Sequence, residues 1–136
     1  MLNGKMHVAV DLDRTLAYYD GWRGPLHIGH PIPAMVRCVQ EHLKRGDTVT
    51  IFSARIHDDP KTGVTADQVK KAISEWSISA VGQRLEATNV KLHTFDRIYD
   101  DIAIQVIPNT GRRVAVKKTE NVVRPHHVER LSENVD

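Results

Sequence analysis

The sequence predicts an α/β protein built on a parallel β-sheet, on the basis of three observations. The apolar run Val-Ala-Val at 8–10 is typical of a strand that is buried on both faces. Apolar residues then recur every three or four positions between 35 and 43, which is the period of a helix. A second strand-like run at 47–52 precedes another helical segment. This alternation is typical of parallel sheets with right-handed crossovers.

Local signals set the bounds of these elements. Pro33 suits the first turn of the first helix, and Gly46 suits its end. Thr65 is a candidate N-cap for the second helix. The dipeptides within 108–111, Pro-Asn-Thr-Gly, predict a turn. Strands are expected at 6–12, 47–52 and 88–91 and just before Asp100, with a further strand at 114–116 and a short helix at 128–131.

Composition and charge set the broad class. The chain of 136 residues suits a single domain, and 40% hydrophobic and 26% charged residues are ordinary for a globular protein. A formal charge of +2 does not argue for binding to nucleic acid or a membrane surface. The single cysteine, Cys38, excludes an internal disulfide and is interpreted as a packed thiol. Because no apolar run approaches about 18 residues and no signal peptide is recognisable, we expect a cytoplasmic protein without membrane contact.

Chemically reactive residues follow the predicted strands at the points where they end. They are Asp11, Asp13 and Thr15 after the first strand, Ser53 after the second, Lys91 after the third, and Asp100 and Asp101 at the fourth. The carboxyl ends of parallel strands meet at one edge of the sheet, where open α/β folds bind ligands. Several carboxylates in one crevice are unfavourable unless a cation lies between them, and hard oxygen ligands favour Mg²⁺.

This set of groups suits phosphoryl transfer. A divalent cation held by carboxylates neutralises the charge of a phosphate group, while a lysine and a hydroxyl hold its remaining oxygens. A carboxylate such as Asp11 can act as nucleophile and form an aspartyl-phosphate. Asp13, two residues further on, can protonate the leaving oxygen and later activate water.

Four segments in order resemble the motifs of the haloacid dehalogenase (HAD) superfamily. Residues 8–15, Val-Ala-Val-Asp-Leu-Asp-Arg-Thr, resemble its first motif, and Ile-Phe-Ser at 51–53 resembles its second. Lys91 resembles the third, and the pair Asp100 and Asp101 resembles the acidic fourth. The resemblance extends over residues 6–107. The layout of the chain is similar to that of small HAD-type proteins without a cap, including ones from bacteriophage genomes.

The resemblance implies a three-layer, Rossmann-like parallel sheet with helices on both faces and no large cap domain. The HAD-like phosphatase domain would cover 1–111, with a short flap at 16–32 and a C-terminal tail at 112–136 that packs on the domain or extends from it. Asp11 would be nucleophile and metal ligand, and Asp13 general acid and base with its backbone carbonyl on the metal. Thr15, Ser53 and Lys91 would bind phosphate, and Asp100 or Asp101 would complete the Mg²⁺ site.

Several assignments stay open at this point. The family usually has glycine where Arg14 stands, so Arg14 either contacts substrate or points to solvent. Arg55 either reaches the crevice as a weak substrate contact or lies on the surface. Arg97 is an alternative to Lys91 for the third motif. Either Asp100 or Asp101 is the direct metal ligand.

The flap contains aromatic and histidine side chains with two possible roles. Tyr18, Tyr19 and Trp22 either stack on a base or sugar ring or pack within the flap. His27 and His30 suit packing or substrate contact better than zinc, since no cysteine lies near them. Asp58 and Asp59 are interpreted as a solvated loop pair.

The predicted function is that of a Mg²⁺-dependent phosphatase acting on a phosphorylated small molecule or a nucleic-acid end. A phospho-accepting receiver domain uses a similar set of residues, but it needs its acceptor aspartate on a middle strand, where this chain has Ser53. A catalytically silent protein that binds metal or phosphate is the third alternative.

Overall fold

The structure of the protein, a computed structural model, describes residues 4–115. In this range four strands and two α-helices alternate along the chain. They are β1 (His7–Asp11), α1 (Pro33–Lys44), β2 (Thr48–Phe52), α2 (Ala66–Val81), β3 (Glu86–Thr88) and β4 (Arg97–Tyr99). All three strand pairs are parallel, so the predicted α/β class with a parallel sheet is confirmed.

The four strands lie in the order β3-β2-β1-β4. The chain therefore moves in one direction from β1 to β3 and then returns to the other side of β1 for β4. The helices α1 and α2 contact each other, as expected when two right-handed crossovers run in the same direction. Residues 4–115 contain no third helix, so helices on both faces of the sheet stay a prediction.

The apolar core lies between the sheet and the two helices. Successive side chains along a strand point to opposite faces of the sheet, so alternate residues of β1 and β2 point toward the helices. The fully buried members of this core are Val8, Val10, Leu12, Leu16, Ala17, Val39, Ile51, Val69 and Ile73.

The loop before β4 packs against residues that point to the opposite face. His7 lies with its Nδ1 2.9 Å from the Thr94 hydroxyl and its Nε2 2.8 Å from the Thr50 hydroxyl. The ring of Phe95 meets the His7 ring edge-on at 4.8 Å and the Phe52 ring at 6.0 Å. This loop therefore shields part of the face that α1 and α2 leave uncovered.

Both helices begin close to where the sequence signals place them. Pro33 starts α1, as predicted. Thr65 is the N-cap of α2 and forms a capping box with Gln68, so the predicted cap is confirmed. Gly82 ends α2 with a left-handed φ of 95°, a conformation that glycine adopts without steric cost.

A buried polar network connects the short strand β4 to the rest of the domain. His42 on α1 lies with its Nδ1 2.7 Å from Asp47 Oδ2 and its Nε2 2.9 Å from the Tyr99 hydroxyl. Asp47 also accepts the backbone N–H of Met6 at 3.0 Å. Hydrogen bonding from His42 is the main cause that lowers the pKa of Asp47 below its usual value. The network fixes Tyr99, the residue before Asp100.

The structure differs from the sequence prediction at the third strand. β3 covers Glu86–Thr88 and not 88–91, and Val90 is 55% exposed. The predicted turn at 108–111 is present, with Asn109 and Gly111 both at positive φ. Val114 and Ala115 are not in a strand, although Val106 and Arg113 form an isolated antiparallel bridge around the turn.

The chain divides into a compact unit that ends at Ile102 and a second unit that begins at Ala103. Of the second unit, only residues up to 115 are described, so the predicted helix at 128–131 and most of the predicted tail lie outside the described residues. The domain boundary expected after 111 stays a prediction. No helix within 4–115 is long and apolar enough to cross a membrane.

Candidate functional site

The register between β1 and β4 places two carboxylates side by side. Val10 pairs with Tyr99, so the next residues along the two strands, Asp11 and Asp100, leave the sheet at the same level. Carboxylate oxygens of Asp11, Asp100 and Asp101 all lie within 4.8 Å of one another. The structure thus brings together three of the four aspartates that the sequence predicts for a metal site.

The electrostatics of this cluster are unfavourable without a cation. The pKa of Asp11 is raised from 3.8 to about 8. Burial is the main cause, and the nearby charge of Asp100 is the second. The hydroxyl of Thr15 donates a hydrogen bond to Asp11 Oδ2 at 3.0 Å, and this hydrogen bond lowers the pKa of Asp11. A half-buried carboxylate next to two others favours either a proton or a bound cation.

The cluster fits a small divalent cation in ligand type and spacing. Magnesium takes oxygen ligands at about 2.0–2.1 Å, so two oxygens on opposite sides of the ion lie roughly 4 Å apart. The 4.8 Å limit on the oxygens of Asp11, Asp100 and Asp101 is close to that span. Among residues 4–115 this is the one group of three or more acidic, histidine or cysteine side chains with such spacing.

Asp13 is not part of this carboxylate group. Both of its oxygens accept hydrogen bonds from Arg55, from Nε at 2.9 Å and from Nη2 at 2.7 Å. The Asp13 carboxylate is therefore occupied by a bidentate ion pair, which is the strongest geometry for such a pair. The metal contact predicted for Asp13 is through its backbone carbonyl, so this side-chain ion pair leaves that assignment a prediction.

Arg55 also holds the flap. Its Nη1 donates to the backbone carbonyl of His27 at 2.7 Å and to that of Pro25 at 3.3 Å, and its guanidinium lies 5.1 Å from the ring centre of Trp22. Arg55 is only 6% exposed, so the predicted alternative of a surface position is wrong. Its nitrogens contact the protein itself, and substrate contact by Arg55 stays untested.

The flap is an irregular hairpin attached to the end of β1. Ala17 bridges Asp13 on one side and Pro31 on the other. Tyr18 donates its backbone N–H to the His30 carbonyl at 2.8 Å, and the Tyr18 and His30 rings stack at 4.9 Å. The two arms of the hairpin are thus joined by both backbone and side-chain contacts.

Gly29 allows the two arms to approach closely. A β-carbon at this position would lie 1.9 Å from the Tyr18 carbonyl oxygen, so any other residue would force the arms apart. The Gly29 carbonyl accepts a hydrogen bond from Trp76 Nε1 at 3.1 Å, which attaches the flap to α2.

The flap encloses a pocket of about 330 Å³. Its walls are formed by residues 18–21, Arg23 and residues 27–30. Tyr18 is 49% exposed, so one face of its ring is accessible while the other packs on His30. Tyr18 and Trp22 thus make packing contacts within the flap, and stacking of the flap aromatics on a base or sugar ring stays a prediction.

The other predicted phosphate-binding residues lie at different distances from the cluster. Thr15 is buried and directs its hydroxyl to Asp11. Ser53 is 2% exposed and follows β2 directly, where its hydroxyl accepts the Arg55 backbone N–H at 3.3 Å. Lys91 is exposed in the loop after β3, at the edge of the sheet. Of these three predicted residues, Thr15 is the one that donates a hydrogen bond to the acidic group.

Arg97 does not suit the alternative role considered for the third motif. It begins β4 opposite Val8, three residues or roughly 10 Å along the strand before the level of Asp11. Its guanidinium donates to the Tyr99 hydroxyl at 3.4 Å.

The side chain of Arg14 lies at the acidic cluster, and its predicted contact with substrate stays a prediction. Its Nε lies 3.3 Å from Asp101 Oδ2, so it forms an ion pair with the acidic cluster. Its φ of 73° lies in the left-handed region, which explains why glycine is favourable at such a position.

The aspartates of the loop before α2 have a structural role. Asp58 accepts the backbone N–H of Ala66 in the first turn of α2 at 2.8 Å. Asp59 accepts the N–H of Lys61 and the hydroxyl of Thr62. Both fit the loop interpretation made from the sequence.

Comparison of the chain with models of protein families, with curated proteins and with solved structures finds no match. The assignment of a function therefore depends on the geometry of the site.

Replacement of Arg55 by alanine is expected to destabilise the domain. The substitution leaves the Asp13 carboxylate and two flap carbonyls without their donor, and removal of one partner of a buried ion pair costs roughly 3–5 kcal/mol. Urea unfolding at neutral pH measures the change. Arg23→Ala is the matched control, because the ion pair of Arg23 with Asp20 in the same flap is exposed and contributes about 0.5 kcal/mol or less. Equal effects of the two substitutions would contradict the assigned role of Arg55.

The stability of the metal-free protein is expected to decrease as pH rises. Because folding raises the pKa of Asp11 from 3.8 to about 8, the folded state binds this proton more tightly than the unfolded state does. The contribution of Asp11 is therefore fully present below about pH 4 and is lost as pH rises through 8. Thermal unfolding in the presence of a chelator should show Asp11→Asn to be several degrees more stable than the wild type at pH 8.5 and equal to it near pH 4. A constant difference at both pH values would contradict the shift.

Proposed function

We propose that the protein is a Mg²⁺-dependent phosphomonoester hydrolase of the HAD type that acts through an aspartyl-phosphate on Asp11. The observation that supports this proposal most directly is the meeting of Asp11, Asp100 and Asp101 within 4.8 Å. These residues are distant in sequence, and they belong to the first and fourth motifs of the resemblance. Ser53, from the second motif, follows the strand next to β1.

The strand order also supports the proposal. The order β3-β2-β1-β4 corresponds to the first part of the Rossmann-like order 3-2-1-4-5, which we propose as the full architecture of the domain in three layers. Ligands of such sheets bind where the order reverses, outside the carboxyl ends of the strands. In this chain the reversal lies between β1 and β4, which are the strands that carry the acidic cluster.

The residues that would hold the metal are Asp11, Asp100 and Asp101, together with the backbone carbonyl of Asp13. A bound Mg²⁺ would supply charge neutralisation for the phosphate oxygens. Asp100 and Asp101 are both placed to contribute an oxygen, so the alternative between them that the sequence left open becomes a shared role in this proposal.

The chemistry assigned to the chain's own residues has two steps. An Asp11 oxygen attacks phosphorus, the bond from phosphorus to the ester oxygen breaks, and the leaving alcohol receives a proton from Asp13. Water then gives its proton to Asp13 and attacks the aspartyl-phosphate, which releases inorganic phosphate and restores Asp11. Thr15 orients the Asp11 carboxylate, and Ser53 and Lys91 bind phosphate oxygens.

The ion pair of Asp13 adds a condition to this scheme. The two hydrogen bonds from Arg55 occupy both oxygens of the Asp13 carboxylate, so neither oxygen is free to contact a leaving group. Asp13 must therefore weaken at least one of these bonds before it acts as an acid. Since Arg55 also binds the His27 carbonyl, a change in the flap on substrate binding is the natural means of doing so.

The strand order argues against the receiver alternative. Receiver domains have the order 2-1-3-4-5, in which β3 lies next to β1. In this chain β3 lies next to β2, and the residue after β2 is Ser53. A silent scaffold that binds metal or phosphate keeps the cluster without turnover, and it is distinguished by assay.

The flap pocket favours a substrate that carries a planar ring. Within the proposed function we therefore favour a nucleotide, either free or at a nucleic-acid end, as the substrate. A single guanidinium joins the Asp13 carboxylate to the His27 carbonyl, so the pocket wall begins within roughly 8 Å of Asp13. That distance is comparable to the separation of phosphorus and base in a nucleoside monophosphate. The accessible face of Tyr18 offers a stacking surface for the base.

Hydrolysis of p-nitrophenyl phosphate tests the proposed activity. We expect turnover that requires Mg²⁺ and that decreases about 10³-fold or more in Asp11→Asn, because the nucleophile is removed. Glu75→Gln, which removes an exposed carboxylate on α2, is the matched control and should leave the rate unchanged. Stable labelling by acetyl phosphate without turnover would favour the receiver function. Neither labelling nor turnover, with retained Mg²⁺ binding, would favour the scaffold.

Substitution of Tyr18 tests the substrate class. Tyr18→Ala is expected to raise KM for nucleoside monophosphates roughly five- to ten-fold, in proportion to a lost stacking contact of about 1 kcal/mol, and to leave KM for glycerol phosphate unchanged. Tyr18→Phe keeps the ring and should retain the wild-type KM. Equal effects on both substrates would contradict base stacking in the flap pocket.

A further inference from the structure

Arg14 places a positive charge at the acidic cluster. Its Nε lies 3.3 Å from Asp101 Oδ2, and the two side chains are 26% and 16% exposed. The pair is thus better shielded from water than the ion pair of Arg23 and Asp20, whose side chains are 59% and 46% exposed. An ion pair that is partly removed from solvent interacts more strongly than one at the surface.

The backbone at Arg14 makes this residue an unusual choice. Its φ of 73° lies in the left-handed region, where a side chain other than glycine or asparagine costs roughly 1 kcal/mol. The tight turn that imposes this angle is held by hydrogen bonds from the backbone N–H of Arg14 to Ala17 and of Thr15 to Leu12. The left-handed backbone at Arg14 therefore costs conformational free energy, while its side chain forms an ion pair with Asp101 of the cluster.

The other nearby cation does not serve the cluster in the same way. Arg55 directs its Nε and Nη2 to Asp13 and its Nη1 to flap carbonyls. The Thr15 hydroxyl, which donates a hydrogen bond to Asp11, is a neutral group and brings no charge to the cluster. Arg14 therefore supplies positive charge to Asp101, one of the three carboxylates that the proposed Mg²⁺ would use.

We propose that Arg14 is a built-in counter-ion of the acidic cluster that competes with Mg²⁺ for Asp101 and so lowers the affinity of the site for the metal. This inference rests on the proposed function, because it concerns the same metal site. In the metal-free protein Arg14 relieves part of the repulsion among Asp11, Asp100 and Asp101. When the metal binds, Arg14 gives up or shares the Asp101 oxygen, and the free energy of that ion pair is subtracted from the binding of Mg²⁺.

Titration of the full-length protein with MgCl₂ at constant ionic strength tests the inference. Isothermal titration calorimetry measures Kd for the wild type, Arg14→Gln, Arg14→Lys and Arg14→Gly. We expect Arg14→Gln and Arg14→Gly to bind Mg²⁺ roughly three- to ten-fold more tightly, since both remove the competing charge. Arg14→Lys retains the charge without the planar fork of arginine and should fall between them and the wild type. Arg23→Gln is the matched control, and its Kd should equal that of the wild type.

Thermal unfolding provides a second measurement that does not depend on activity. Without metal, Arg14→Gln should unfold at a lower temperature than the wild type, because the cluster loses its counter-ion while the left-handed backbone is retained. Arg14→Gly loses the same charge but relieves the backbone, so its midpoint should lie above that of Arg14→Gln. Saturating MgCl₂ should raise the midpoint of Arg14→Gln by more than that of the wild type.

The outcomes separate this inference from the proposed function. If the wild type shows Mg²⁺-dependent hydrolysis but Kd is unchanged or weaker in Arg14→Gln, the counter-ion role is wrong and the phosphatase proposal stands. If Arg14→Gln binds Mg²⁺ while the wild type does not, competition by Arg14 is supported. If neither protein binds Mg²⁺ by calorimetry or thermal shift, both the inference and the metal-dependent function are wrong.

Discussion

The crowding of carboxylates where β1 and β4 end is the constraint on which the site depends. Parallel pairing of Val10 with Tyr99 leaves Asp11 and Asp100 at the same level, and the chain then adds Asp101. Burial and mutual repulsion raise the pKa of Asp11 to about 8, so the protein must supply compensating contacts. It does so with the Thr15 hydroxyl and the Arg14 guanidinium, and the arrangement suits a divalent cation.

The remainder of the domain holds these short strands in place. A three-residue strand such as β4 has few ladder hydrogen bonds of its own, and the network from Asp47 through His42 to Tyr99 fixes its end against α1. The strand β1 lies between β2 and β4 and is buried over residues 8–10. The acidic residues thus leave a rigid part of the sheet, which favours a defined site over a mobile loop.

Much of this arrangement could be predicted from local patterns. The apolar run before Asp11 marked a buried strand, and Thr65 marked the start of α2. The third strand was placed two residues too late, because β3 is only three residues long and alternates an exposed Glu86 with a buried Ala87. So short an element has no pattern that separates it from the adjacent apolar Val90.

The contacts of the two arginines could not be predicted in this way. Arg55 meets Asp13 across 42 residues of sequence, and no local signal indicates which carboxylate an arginine will find. The ion pair of Arg14 with Asp101 spans 87 residues and depends on a turn whose left-handed φ is not evident from the residue type. The sequence placed Asp11, Asp100 and Asp101 in one group, as the structure does, but it did not indicate the cations that accompany them.

The double attachment of Arg55 links the shape of the flap to the surroundings of the Asp13 carboxylate. One guanidinium is both the partner of Asp13 and a fastening of the flap through the His27 carbonyl. If the protein is the proposed phosphatase, a sequence change that reshapes the flap to accept a different leaving group would also alter the electrostatic surroundings of Asp13. Selectivity and proton supply would then have to evolve together in this small domain, where a separate cap would allow each to vary alone.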